Sequence, residues 1–137
     1  MIQTTTAGTQ GLTNALNADA ILTGSFVNAG AVVRYIKSID PDHVSLVAMG
    51  YRATCSAEED LLCAEMIAAE LKNEKFIFET RIANLQNTSG KRFFDLVNLD
   101  FSPPTDFFLC TMVNRFDFIL KATRRFDGNI DLMKIDL

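Results

Sequence analysis

Apolar residues in the first half of the chain follow two alternating rhythms. Residues 20–26, AILTGSF, and 44–49, VSLVAM, are short apolar runs of strand length, and residues 1–4 read as the tail of another strand. Between these runs the spacing turns helical. Residues 8–18 carry Leu12, Ala15 and Leu16 at helical intervals, and residues 29–39, AGAVVRYIKSI, align Val32, Val33, Ile36 and Ile39 before DPD breaks the pattern. Residues 56–72 give the strongest helical pattern. There Leu62, Met66 and Ala69 join Cys63, Ile67 and Leu71 in a wide apolar face. Strands and helices that alternate through short connections are the signature of βαβ units. They predict a three-layer α/β/α fold with a largely parallel sheet.

The second half is different in kind. Ten of the eleven phenylalanines follow residue 75, which concentrates the aromatic core there. Residues 76–86 and 89–95 are predicted to be helical, SPPTD at 102–106 is a rigid break, and 106–113 starts a short helix. Residues 116–123 and 129–135 flank Asp127-Gly128, a hairpin signal, so a C-terminal antiparallel strand pair is expected. No repeat divides the 137 residues, and residues 1–137 are read as a single domain.

Charge narrows the partners. A net charge of −4 and a pI near 4.9 argue against a nucleic-acid backbone, which must be met by clustered Lys and Arg. Lys91-Arg92 and Arg124-Arg125 are only pairs. No apolar run approaches a membrane span, and the residues after Ile2 are polar, unlike a signal peptide. Cys55, Cys63 and Cys110 are odd in number and form no C-x-x-C pair, so reduced thiols in a cytoplasmic protein are expected.

In a parallel sheet the three loops that follow the strands would face one cleft. Loop one, residues 4–9, reads TTTAGT, and loop two, residues 24–28, reads GSFVN. Loop three, residues 50–60, ends in SAEED. Hydroxyls around Gly8 at a helix start suit a phosphate or sulfonate cradle. Equally, Thr9 fits a helix N-cap and its neighbours fit a strand. The acids divide the same way. SAEE at 56–59 fits an S-x-x-E capping box with acids favoured by the helix dipole, and the same carboxylates suit Mg²⁺ held with waters and phosphate oxygens. Other signatures fail. DPD at 40–42 precedes a strand-like run instead of ending one, and His43 in that turn reads as a surface residue. Cys110 and Arg115 are one residue short of the cysteine-phosphatase loop, so Cys110 is expected in the core beside Phe107 and Phe108. No zinc spacing occurs.

These segments resemble the 2-phosphosulfolactate phosphatase family. TTTAGTQGL resembles its T-T-T-N-G-T segment, with Ala7 in place of the Asn. ADAILTGSFVNAGAVVRYI resembles the following strand and Asn-Ala helix start. VSLVAMGYRATCSAEEDLLCAEMI resembles the strand, Gly-aromatic turn and Glu-Asp-x-x-Cys-Ala helix, although YRAT follows Gly50 where a second glycine is common. DFFLC resembles a later family segment. The resemblance implies Mg²⁺-dependent hydrolysis of a phosphate monoester of a small hydroxy acid, within coenzyme M synthesis. It implies that Thr5, Thr6, Gly8 and Thr9 contact the anionic substrate and that Ser25 and Asn28 line the cleft. Glu59 and Asp60 would hold Mg²⁺ or orient the attacking water. Family members are longer and have a further N-terminal α/β portion, so Met1 is expected to start partway through the family fold. A non-catalytic anion-binding fragment or subunit with a separate N-terminal partner is the alternative, and an open sheet edge suggests a homo-oligomer.

Overall fold

A computed structural model describes residues 4, 5 and 7–137. The elements in order are α1 (Gly8–Asn14), β1 (Ile21–Thr23), a 3-10 turn (Phe26–Asn28), α2 (Ala29–Ile39), α3 (Glu58–Leu71), α4 (Glu79–Leu85), 3-10 turns at Ser89–Phe94 and Leu96–Asn98, α5 (Pro104–Cys110), β2 (Phe118–Arg124) and β3 (Ile130–Asp136). Among the described residues, no helix is long and apolar enough to cross a membrane.

The helical rhythm is confirmed most fully in α2, which spans the stretch expected from its stripe. Elsewhere the bounds shift: α1 ends at Asn14, before Ala15 and the exposed Leu16, α4 starts only at Glu79, residues 89–94 form a 3-10 turn, and α5 begins at Pro104, inside the expected break. Its end is local chemistry. Asp40 takes the left-handed conformation at φ 44°, donates its N–H to the Ile36 carbonyl at 3.1 Å, and precedes a proline that cannot continue the helix. The DPD segment is therefore a helix stop, and His43 beside it is exposed.

The sheet departs from expectation. Its order is β1-β2-β3, and every pairing among the described residues is antiparallel. Mixed helix and strand is right; the three-layer parallel arrangement is corrected to a three-stranded antiparallel sheet. Residues 44–49 form no strand, and Val47 among them is largely exposed. A continuous apolar run marks a segment that can be buried, but only a partner backbone makes it a strand. The strand tail expected at residues 1–4 falls mostly outside the described residues. The C-terminal pair forms as expected, in the register Ile119↔Ile135, with Arg125 N–H bonded to the Asn129 carbonyl at 2.8 Å across the turn.

Packing explains the layers. Ala31, Val32 and Ile36 of α2 meet the fully buried Ile119 of β2, with Leu22 and Ile135 beside it. A side chain buried as completely as Ile119 contributes about 1.5–3 kcal/mol. On its other side α2 turns Ala29 and Val33 to Leu62, Met66 and Ile67 of α3, in a cluster that extends to Leu85 and Phe107. Phe93 and Phe94 pack tilted and edge-on against Phe107, centroids 6.0 and 5.3 Å apart. Lys37 latches the two helices by donating to the Glu70 carbonyl and to Asn73 Oδ1, both at 2.8 Å. Cys110, expected in this core, is exposed instead, because α5 turns Phe107 inward. Cys63 does pack against the core. Burial, with a smaller effect from the Asp60 charge, pushes its thiol up to about 11, so it stays protonated at neutral pH.

Candidate functional site

Each loop uses its polar groups first on itself. In loop one, Thr5 N–H donates to Thr9 Oγ1 at 2.9 Å and Thr9 N–H donates to Thr5 Oγ1 at 3.1 Å. The two hydroxyl oxygens lie 3.4 Å apart. This reciprocal pair closes the turn that starts α1 at Gly8. Thr6 lies outside the described residues.

In loop two, Asn28 Oδ1 accepts both the Ser25 N–H and the Ser25 hydroxyl, each at 3.0 Å. Asn28 Nδ2 reaches across to the Phe118 carbonyl at 3.3 Å. Asn28 is buried, with 4% exposure, and its amide satisfies the local backbone as a buried polar group must. Sequence reasoning missed Asn114. Its Oδ1 accepts the Gly30 N–H at 2.7 Å, and its own N–H donates to the Phe26 carbonyl at 2.9 Å. An Asn in VNR, a residue type that tolerates left-handed backbone, is the faint signal that was present.

Loop three is a tight reversal. Tyr51 N–H donates to the Cys55 carbonyl at 2.8 Å, and Thr54 N–H donates to the Tyr51 carbonyl at 3.2 Å. Arg52 and Ala53 both have positive φ, 55° and 56°, as the central pair of a type I′ turn requires. Glycine suits such positions, so the YRAT segment carries strain where a second glycine would not. Ala53→Gly is expected to raise stability by about 1 kcal/mol, the gain of a relaxed left-handed residue less the cost of a freer unfolded chain. A thermal or urea melt at or below the parent value would refute this.

The acids separate into three roles. The S-x-x-E capping box does not form: α3 starts at Glu58, and its N-cap, Ala57, offers no side chain. Glu58 Oε2 accepts the Thr88 hydroxyl at 2.5 Å, tying α3 to the end of α4. Asp60 Oδ2 accepts the Gly50 N–H at 2.7 Å and fixes loop three on α3. Glu59 Oε2 is buried and has no hydrogen-bond partner among the described residues.

Helix α3 carries two of the loops. Asp60 holds loop three at its first turn, and a side chain at Gly24 of loop two would meet Ile67 Cδ1 at 3.2 Å. Seven residues separate Asp60 from Ile67, about 10 Å along the helix. Helix α1 approaches the segment that leads into loop three, where a side chain at Gly11 would meet Met49 Sδ at 2.5 Å. Among the described residues, no hydrogen bond joins the Thr5–Thr9 pair, the Ser25–Asn28 pair and the Glu59–Asp60 pair. Nor do three or more His, Cys, Asp or Glu residues gather as a metal cluster.

The model of the 2-phosphosulpholactate phosphatase family matches residues 1–123, which include all three loops. The chain belongs to the 2-phosphosulfolactate phosphatase family. A probable 2-phosphosulfolactate phosphatase of Picosynechococcus sp. is 37% identical over 70 residues, 51% of this chain and 28% of that protein. One from Trichormus variabilis is 38% identical over 64 residues, 47% of this chain and 26% of its own length. A third, from Nostoc sp., has the same identity and coverage. These matches span little more than a quarter of the curated phosphatases. No solved structure matches the chain.

Proposed function

We propose that this member of the phosphatase family takes part in hydrolysing the phosphate monoester of a small hydroxy acid, 2-phosphosulfolactate or a close analogue, in the manner of coenzyme M synthesis. Water attacks phosphorus, the ester P–O bond breaks, and the hydroxy acid leaves with phosphate. The observation that carries this reading is the family match across all three polar loops. Thr5, Thr6, Gly8 and Thr9 bind the anion in this reading, with Ser25 and Asn28 shaping the adjoining wall. The Thr5 and Thr9 hydroxyl oxygens accept backbone N–H groups, so in this reading their O–H hydrogens are donated to substrate oxygens at the expense only of the 3.4 Å contact between the two hydroxyls, a trade that charge-assisted bonds favour.

Mg²⁺ is the proposed cation. The residues fit it modestly: Glu59 offers a buried carboxylate oxygen that nothing among the described residues satisfies, and Asp60 keeps one oxygen beyond its bond to Gly50. Mg²⁺ commonly takes one or two carboxylates, waters and substrate phosphate oxygens, so a larger acidic cluster is not required. When bound, the ion would neutralise phosphoryl charge.

A second reading is a non-catalytic anion-binding fragment or subunit that works with a separate partner chain. It is favoured by the internal pairing of the hydroxyls and by the spacing of the loops along α3. One assay separates the two. Phosphate release from 2-phosphosulfolactate and other hydroxy-acid phosphates is expected to require Mg²⁺ and to stop with EDTA. Phosphate binding without turnover on any of them would replace the first reading with the second.

A further inference from the structure

Strand β2 is bonded along both of its sides, and β1 is only three residues long. The outer side of β3, seven residues long, meets no described strand. The register decides which of its groups face outward. Leu137 N–H donates to the Asp117 carbonyl at 3.2 Å and Arg125 N–H to the Asn129 carbonyl at 2.8 Å, and both pairs continue the β2–β3 register. Bonded pairs alternate along an antiparallel ladder. Asp131, Met133 and Ile135 therefore bond to β2, while Ile130, Leu132, Lys134 and Asp136 aim their N–H and C=O groups away from it. Such an edge is a template for another strand unless a proline, a bulge or an outstretched lysine blocks it. β3 contains no proline and pairs with β2 without a break in register. Its one lysine is folded back: Lys134 Nζ pairs with Asp136 and lies 5.0 Å from the centroid of the Phe118 ring. Leu132 and Met133 are exposed.

We propose that β3 is the joint of a homodimer: it pairs antiparallel with β3 of a second copy about a two-fold axis at Met133, and two three-stranded sheets become one of six strands. The axis must fall on a residue, because side chains that stand opposite each other share a face of the sheet. With the axis at Met133, every residue of β3 has a partner. Leu132 then exchanges backbone bonds with Lys134 of the other copy, and Ile130 with Asp136, so the outward groups are satisfied and no like charges stand directly opposite. An axis at Lys134 sets lysine against lysine. One at Leu132 runs Ile135 and Asp136 past the other strand, onto Asn129 and Gly128 of the turn.

A joint made of one strand pair is small, so dissociation is expected at about 1–100 μM. Sedimentation equilibrium across that range should carry the mean mass of the parent from 15.2 kDa toward twice that value. Leu132→Pro removes an outward N–H and no bond to β2, a place where an edge strand accepts proline. It should stay monomeric at every concentration. Should that variant fail to fold, Met133→Lys gives the same reading by setting two charges against each other on the axis. Register is read by cross-linking in a Cys55→Ser, Cys110→Ser background. Met133→Cys places two thiols on Cα atoms about 4.5 Å apart, within disulfide reach, and should oxidise to a covalent dimer. Asp131→Cys, about 14 Å from its copy, should not. A parent that holds 15.2 kDa throughout, a folded Leu132→Pro or Met133→Lys that dimerises like the parent, or equal cross-linking at positions 131 and 133 would overturn the proposal.

Discussion

Replacing Gly50 with alanine is expected to destabilise the chain by about 3–5 kcal/mol, summed from a left-handed side chain, lost turn bonds and a displaced bond to Asp60. Gly50 has φ +66°, and a Cβ there would lie 2.1 Å from the Cys55 carbonyl oxygen, a distance no structure accommodates. Relief requires moving backbone that carries the Tyr51–Cys55 bridge. The same shift draws the Gly50 N–H away from Asp60, which anchors loop three to α3. A melting temperature lowered by at least ~10 °C follows for a chain of this size. A melt within about 2 °C of the parent would show that the turn relaxes freely and that Gly50 is only a convenience.

Glu59→Gln should act in the opposite sense on function and stability. Its Oε2 is buried without a partner among the described residues, and an orphaned polar atom costs about 1–3 kcal/mol. Removing the charge should leave the metal-free protein as stable as the parent or slightly more so. Under the proposed function phosphate release should fall about 100-fold or further, since Glu59 would be lost as a carboxylate ligand and with it several kcal/mol of charge stabilisation by the proposed Mg²⁺. Stability also gives a readout without turnover. Saturating Mg²⁺ should raise the parent's melting temperature by binding the folded state and leave that of Glu59→Gln unmoved. Equal Mg²⁺ responses in the two proteins would remove Glu59 from the cation site.

The helices were largely legible because each carries its own evidence. The stripe of Val32, Val33 and Ile36 and the DPD stop define α2 with no reference to the rest of the chain. Asp127-Gly128 similarly announces the hairpin through local turn chemistry. The sheet was less legible because pairing is a relation between distant segments. VSLVAM has strand composition, but no described strand pairs with it, whereas the three residues of β1 find β2 late in the sequence. The candidate site divides on the same line. Thr5 with Thr9 and Ser25 with Asn28 are neighbours in sequence, and their pairing follows from short-range geometry. The orphaned oxygen of Glu59 was invisible, because a capping signature and a buried acid share the same letters. Asn114 was invisible because its partner is Gly30.

The pairing of Ile21 with Ala122 also sets a schedule for synthesis. At roughly 5–20 residues per second, β1 leaves the ribosome about 5–20 s before its partner strand exists. Helices α2 and α3 can meet during that interval, but the sheet face of α2, including Ala31, Val32 and Ile36, has only Leu22 and Leu71 beside it and lacks its fully buried partner until residue 119 arrives. Nascent chains stalled before that point would therefore present an apolar helix face and be ready clients for chaperones. Emergence of residues 118–136, which bring β2 and β3 together as a local hairpin, is the event that ends this exposure.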